Sequence, residues 1–175
     1  MANPRIHDIS PVISERLAVF PGDTPFRGRR LLSFQKGDHL ELSSWESTVH
    51  LGAHADAPIH YHPQGVGIAE RDPLIYVGPA QVLSVHAARG RRITPKDLSG
   101  IRILAPRVLV RTGTFPDPQR WNGDFASLSA ELIDWLGERS VRLVGIDTPS
   151  IDPAEDKLLE SHKAVYRRDL AVLEG

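Results

Sequence analysis

Four histidines and an aspartate crowd one short stretch, Val49-His50-Leu51-Gly52-Ala53-His54-Ala55-Asp56-Ala57-Pro58-Ile59-His60-Tyr61-His62. Imidazole nitrogen together with carboxylate is the donor set of a borderline cation such as Zn²⁺, and it also suits Mn²⁺ or Fe²⁺. Two histidines and one aspartate leave a coordination position open, which marks a catalytic site rather than a structural one. An aspartate can also bridge two ions about 3.5–4 Å apart, the second ion then drawing ligands from elsewhere in the chain. His50, His54, Asp56 and His60 are separated by even numbers of residues. An extended strand would place all four on one face, whereas a helix would align His50 with His54 and Asp56 with His60. Gly52 and Pro58 disfavour a long regular helix, so an extended or irregular loop held by its ligands is expected. A His-x-x-x-His pair alone is weak, but Asp56 and His60 at this density turn the reading toward a metal. His62 is expected at the rim, and His7, His39 and His86 read as surface residues.

Such a cluster needs a frame, and the chain alternates strand and helix signals. Residues 5–10 read as a short strand. Phe20-Pro21-Gly22-Asp23-Thr24-Pro25 reads as a turn-rich loop, because Pro-Gly favours a type II turn. Leu40, Leu42 and Ser44 alternate with Glu41 and Ser43, which predicts a half-buried strand running toward Val49. Residues 80–85 are another strand candidate. Thr94 and Pro95 open a short helix as N-cap and first helical residue. Residues 108–110 form a buried strand that stops at Thr112-Gly113. Ser129 caps a helix carrying Leu132, Ile133 and Leu136, ending near residues 137–140. Residues 141–146 read as the central strand, halted by Asp147-Thr148-Pro149. Residues 154–161 read as helix and residues 169–173 as the start of a strand. Asp147 and Asp152 then read as turn or capping residues. Trp45, Trp121 and Trp135 read as packing groups, with Trp121 the one placed to face a pocket. Mixed strands and helices at this spacing argue an α/β fold.

The composition bounds the function. The chain has 175 residues, 41% hydrophobic and 25% charged, which suits one globular domain, residues 1–175, with its own core. Lysine and arginine number 21 against 22 aspartates and glutamates, a balance that argues against nucleic-acid or membrane-surface binding. No apolar run approaches the roughly 18 residues of a membrane span, and the first residues carry no apolar leader. The absence of cysteine removes disulfides, thiolate zinc sites and a cysteine nucleophile together. A cytoplasmic enzyme fits what is left.

The His50-Leu51-Gly52-Ala53-His54-Ala55-Asp56-Ala57-Pro58-Ile59-His60 stretch resembles the His-x-Gly-Thr-His-x-Asp-x-Pro-x-His signature of the cyclase family of metal-dependent amidohydrolases. The likeness is nearest to its bacterial kynurenine formamidase branch. Asp8-Ile9-Ser10-Pro11, Phe20 to Pro25, Gly145-Ile146-Asp147-Thr148-Pro149-Ser150 with Asp152, and His162 followed by Leu173-Glu174-Gly175 fall in the family's order, so the likeness spans the chain. It implies a compact single domain with a mixed β-sheet flanked by helices, swivelling β/β/α-like, assembled as a homodimer. It implies two zinc ions, with Mn²⁺ the alternative. His50, His54 and Asp56 would hold the first, with Asp56 bridging to the second; His162 would complete the second, and Glu174 would reach both. His60 matches the family's proton donor and acceptor, and Phe20 its aromatic contact to the substrate ring; from residues alone, Phe20 reads as a loop residue tucked into the core. Ala53 stands where the signature has Thr, which implies tuning of the site rather than its loss. Family members continue past the position of Glu174, so a frayed, poorly anchored Glu174 is expected here.

The implied reaction is hydrolysis of N-formyl-L-kynurenine to L-kynurenine and formate in tryptophan degradation. No Gly-x-Ser-x-Gly elbow suggests a serine nucleophile instead. Two alternatives share these residues: a sister hydrolase of a cyclic amide such as isatin, using Mn²⁺, and a degenerate non-catalytic metal-binding member.

Overall fold

Valine, isoleucine and leucine at alternate positions build the central sheet of the computed structural model, which describes residues 5–175. The first four residues of the stretch read for a leader lie outside the described residues. The strands are Arg27–Leu32 (β1), Leu42–Glu46 (β2), His54–Asp56 (β3), Gln81–Ser84 (β4), Arg92–Ile93 (β5), Arg107–Arg111 (β6), Ser127–Leu128 (β7), Leu143–Ile146 (β8) and Ala171–Glu174 (β9). The helices are Pro58–Tyr61 (α1), Ala130–Gly137 (α2) and Glu160–Arg167 (α3). Five strands form the main sheet in the order β3-β9-β8-β6-β4, with β4, β6, β8 and β9 parallel and β3 antiparallel at one edge. β1 pairs with β2 and β5 with β7 in separate two-stranded ladders.

The period-2 pleat sorts the sheet into two faces. Val108, Val110, Val144, Ile146 and Val172 pack with Leu132, Ile133 and Leu136 of α2 and Ala164 and Val165 of α3 in the larger core. Leu143 and Ala171 point the other way and pack with Ile75. α2 starts where Ser129 accepts a hydrogen bond from Leu132 N at 3.1 Å, as its sequence predicts. Thr94 and Pro95 open a single 3-10 turn, in which the Asp97 carboxylate accepts from Thr94 N at 2.7 Å. The Phe20-Pro21-Gly22-Asp23 turn closes through Asp23 N donating to Phe20 O at 2.9 Å.

Four local expectations are overturned. Residues 5–10 form no strand: Ser10 N turns back onto Asp8 Oδ1 at 3.0 Å, and Ile6 and Ile9 are exposed. β2 exists, but both its faces are exposed: among the described residues it pairs with β1 alone, and Trp45 stacks on Phe26 while staying 69% exposed. The helix read at 154–161 begins six residues later, at Glu160. Asp156 is spent on Arg92 and on Leu158 N, and Leu159 lies in the left-handed region, while Asp152 reaches forward to accept from Ser161 N and His162 N at 3.2 and 3.1 Å and so starts α3. Glu174 is anchored rather than frayed: it is 5% exposed in a strand paired on both sides, and Ile151 N donates to its Oε1 at 2.6 Å. No helix among the described residues is long and apolar enough to cross a membrane.

Candidate metal centre

Strand register assembles half of the centre. Glu174 lies two residues beyond Val172 and therefore shares its face, the one that α2 and α3 cover. On the antiparallel edge strand, His54 is opposite Glu174 and Asp56 opposite Val172, so all three acidic and basic side chains meet on that face. A one-residue slip of β3 would send His54 and Asp56 to the other side of the sheet. The remaining members come from three separate segments. His162 is carried by α3 and is 2% exposed. His50 precedes a sharp reversal at Gly52, whose φ of +59° and close neighbours Leu17 and Pro11 leave no room for a side chain. His60 sits on α1, which Pro58 opens at its first turn; the expected extended loop is thus a short strand followed by one helical turn. Gly65 backs that turn so closely that a Cβ would lie 2.2 Å from the Pro58 carbonyl carbon.

The donors fall into two groups that share Asp56. His50 Nδ1 and His54 Nε2 lie 2.9 and 3.3 Å from Asp56 Oδ1 and 3.1 Å from each other. His162 Nε2 lies 3.4 Å from Asp56 Oδ2 and 3.3 Å from Glu174 Oε1. Glu174 Oε2 reaches back to His54 Nε2 at 3.7 Å. The His60 ring lies 4.0 Å from the His50 ring, centroid to centroid, on the outer side of the first group. His62 stacks on Tyr166 at 3.6 Å, away from these donors, and His7, His39 and His86 are exposed, all as expected.

Of these contacts, only that between His50 and His54 has hydrogen-bond geometry. Asp56 Oδ1, Asp56 Oδ2 and His162 Nε2 are buried without a hydrogen-bond partner. Orphaned buried polar atoms are rare, because each costs about 1–3 kcal/mol. The second nitrogens of two rings explain the geometry. His54 Nδ1 lies 2.9 Å from Gly52 O and His162 Nδ1 2.8 Å from Asp152 Oδ2, so in the neutral rings each Nδ1 donates and each Nε2 would turn its lone pair into the centre. Donors about 2.0–2.1 Å from one ion at tetrahedral angles stand roughly 3.3 Å apart, close to the spacings within each group. The residues therefore fit divalent metal ions.

The electrostatics point the same way. Burial would lower the His162 pKa, but Asp152, Asp56 and Glu174 outweigh it and push it up to about 11. Burial likewise opposes the upward shift of His54, which Asp56 and the Gly52 carbonyl produce. The Asp56 carboxyl is held well below the usual carboxylate range: burial raises it, and His162, His50 and His54 more than reverse that. The carboxylates of Asp56, Asp152 and Glu174 thus surround His162 and favour positive charge at the centre. His60 is the exception, since burial lowers its pKa and the neighbouring histidines add to that against the pull of Asp56. It is held neutral at neutral pH, able to accept a proton.

A pocket of about 560 Å³ opens against His50 and His54. Phe20, Phe115 and Trp121 line it, with the Phe20 and Trp121 rings 4.6 Å apart. Phe20 is half-buried and faces this space, and Trp121 does so as its loop position suggested. Arg111 and Asp147 also line it, at the C-terminal ends of β6 and β8 where parallel sheets bind ligands. The Asp147 carboxylate accepts from Thr112 N and Gly113 N, the turn role its sequence indicated. Sequence reasoning missed Arg92 and the bond from His162 to Asp152. Asp152 was legible only as a cap, and Arg92 carried no local signal.

The chain resembles known proteins in sequence and in fold. The Cyclase family, described as Putative cyclase, matches residues 7–153. The chain is 43% identical over 175 residues to the kynurenine formamidase of Bordetella pertussis (strain Tohama I), covering 98% of this chain and 82% of that protein. Among solved structures it is similar to a potential metal-dependent hydrolase with cyclase activity, with TM-score 0.79, 22% identity, and coverage of 97% of this chain and 80% of the other. It is similar also to isatin hydrolase A from Ralstonia solanacearum, with TM-score 0.79, 22% identity, and coverage of 97% and 78%.

Proposed function

The chain belongs to the Cyclase family, and from that premise we propose that it is a metal-dependent amidohydrolase that cleaves N-formyl-L-kynurenine to L-kynurenine and formate. One observation carries the reading: a buried double set of His and carboxylate donors opens onto an aromatic pocket, in a chain 43% identical to a kynurenine formamidase. His50, His54 and Asp56 would hold one ion and Asp56, His162 and Glu174 a second, with Zn²⁺ the preferred occupant and Mn²⁺ the alternative. Metal ions held there supply Lewis acidity, activating water near neutral pH and polarising the formyl carbonyl.

The chain's own residues do the rest. Phe20 and Trp121 hold the aryl ring, which fixes the formamide against the His50 and His54 side of the centre. The neutral His60 takes the proton released as water adds to the formyl carbon. It then returns that proton to the aniline nitrogen as the C–N bond breaks, so a neutral amine and formic acid leave, the acid ionising to formate in water. The aromatic walls displace water from the reacting amide. We also read the protein as a cytoplasmic homodimer. A cysteine-free chain suits a reducing compartment, and the exposed Leu31, Leu42 and Trp45 of β1 and β2 suit burial against a second copy.

The test is hydrolysis of N-formyl-L-kynurenine and of isatin by protein stripped of metal and titrated with Zn²⁺. Kynurenine release that returns with metal supports the reading. Turnover of isatin alone would move the protein to the sister hydrolases, and metal uptake without turnover of either would make it a non-catalytic member.

A further inference from the structure

Arg92, Asp152 and Asp156 form a charged string behind the centre that no ligand set includes. We propose that Arg92 and Asp152 are positioning residues, which hold the His162 ring in the tautomer and orientation that an ion requires and so set the affinity of one ion site from outside the main sheet. The inference rests on the metal-centre reading above.

Asp152 is fully buried, and its two oxygens divide the work. Oδ2 accepts from His162 Nδ1 at 2.8 Å, which commits that nitrogen to carry the proton and leaves Nε2 as the ligand atom. Oδ1 accepts from Arg92 Nη1 at 2.7 Å. A buried carboxylate without a cation would be too costly to keep ionised, and Arg92 supplies that cation from β5. The guanidinium is itself fixed: Nη1 also donates to Leu128 O and Ser161 Oγ, each at 2.9 Å, and Nη2 donates to Asp156. Nη1 lies among three acceptors and Nη2 reaches a fourth, a span over two nitrogens that a single lysine ammonium would not cover. His162 therefore has its ring held from behind, while its Nε2 is the buried atom without a partner. Asp152 also caps α3 through Ser161 N and His162 N, so a purely structural role is the rival explanation.

Metal affinity separates the two. Metal-free wild type, Arg92→Lys, Arg92→Gln, Asp152→Asn and His162→Ala are titrated with Zn²⁺ by calorimetry, with ion counts from elemental analysis and folding checked by circular dichroism. We expect H162A to lose one ion. R92Q and D152N should weaken that same ion by about 10–100-fold, the usual cost of removing a partner behind a metal ligand, and leave the other unchanged. R92K should fall between wild type and R92Q. Equal weakening of both ions, or unchanged affinities in folded variants, would overturn the inference and leave the string as a helix cap. If D152N does not fold, R92K decides alone, because it keeps the charge and alters only the fork. A wild-type chain that takes up no metal would overturn the functional reading first.

Discussion

Replacing His60 by alanine separates two roles that its position allows. One ring nitrogen of His60, one of His50 and an Asp56 oxygen all lie within 4.8 Å of one another, so His60 could in geometry be a ligand. It sits on the exposed side of the centre, however, whereas Asp56, His162 and Glu174 are buried. As a proton carrier it should contribute the 10²–10⁴-fold typical of general acid–base catalysis, or about 3–5 kcal/mol of transition-state stabilisation. The His60 ring is covered on one side by His50 but lies outside the core, so removing it should change stability by no more than about 1 kcal/mol. We therefore expect His60→Ala to lower kcat/KM for N-formyl-L-kynurenine by that factor while binding the same number of Zn²⁺ ions with unchanged affinity. The pH profile adds a second check. Burial lowers the His60 pKa from its ordinary value of 6.5, so the wild-type acid limb should fall below pH 6.5 and disappear in the variant. Loss of an ion from His60→Ala would make it a ligand, and undiminished turnover would remove it from the chemistry; either result refutes the reasoning.

Further tests probe the pocket, the charge balance and the support of α1. Phe20→Ala removes the wall that meets Trp121 at 4.6 Å, and should raise KM about tenfold, an aromatic contact of about 1.4 kcal/mol, with kcat nearly unchanged. In metal-free protein the folded pKa of His162 stands near 11, above its unfolded value of 6.5, so its contribution is complete below pH 6.5 and lost as pH rises toward 11. The Tm of chelator-treated protein should accordingly fall across that window, whereas Zn²⁺-induced stabilisation should grow as pH rises across it, because protons compete less for the ligands. Gly65→Ala should cost about 1–3 kcal/mol in thermal unfolding and reduce turnover, because its Cβ would meet the Pro58 carbonyl carbon at 2.2 Å and displace the turn that carries His60.

Local periodicity and local chemistry were legible in the chain. Val108 to Val110 and Leu143 to Ile146 read as strands, and Ser129 as a cap, because each depends on residues within a turn or a pleat of itself. The cluster from His50 to His60 read as metal ligands because four donors of the right type lie close in sequence. His162 and Glu174 were placed beside them only by family likeness, since nothing in their own neighbourhoods marks them. Tertiary structure decided the rest. The pairing of β3 with β9 brings Glu174 opposite His54, across 120 positions of sequence, and turns a chain-end residue into a buried one. The start of α3 moved because Asp152 and Asp156 are drawn to Arg92, about 60 positions away, and Asp152 then caps the helix at Ser161 and His162. β2 has the alternation of a half-buried strand, but no element of the described fold covers it. Side-chain periodicity states which residues can share a face; only the packed chain determines what that face meets, because burial and charge pairing are properties of contacts between distant segments.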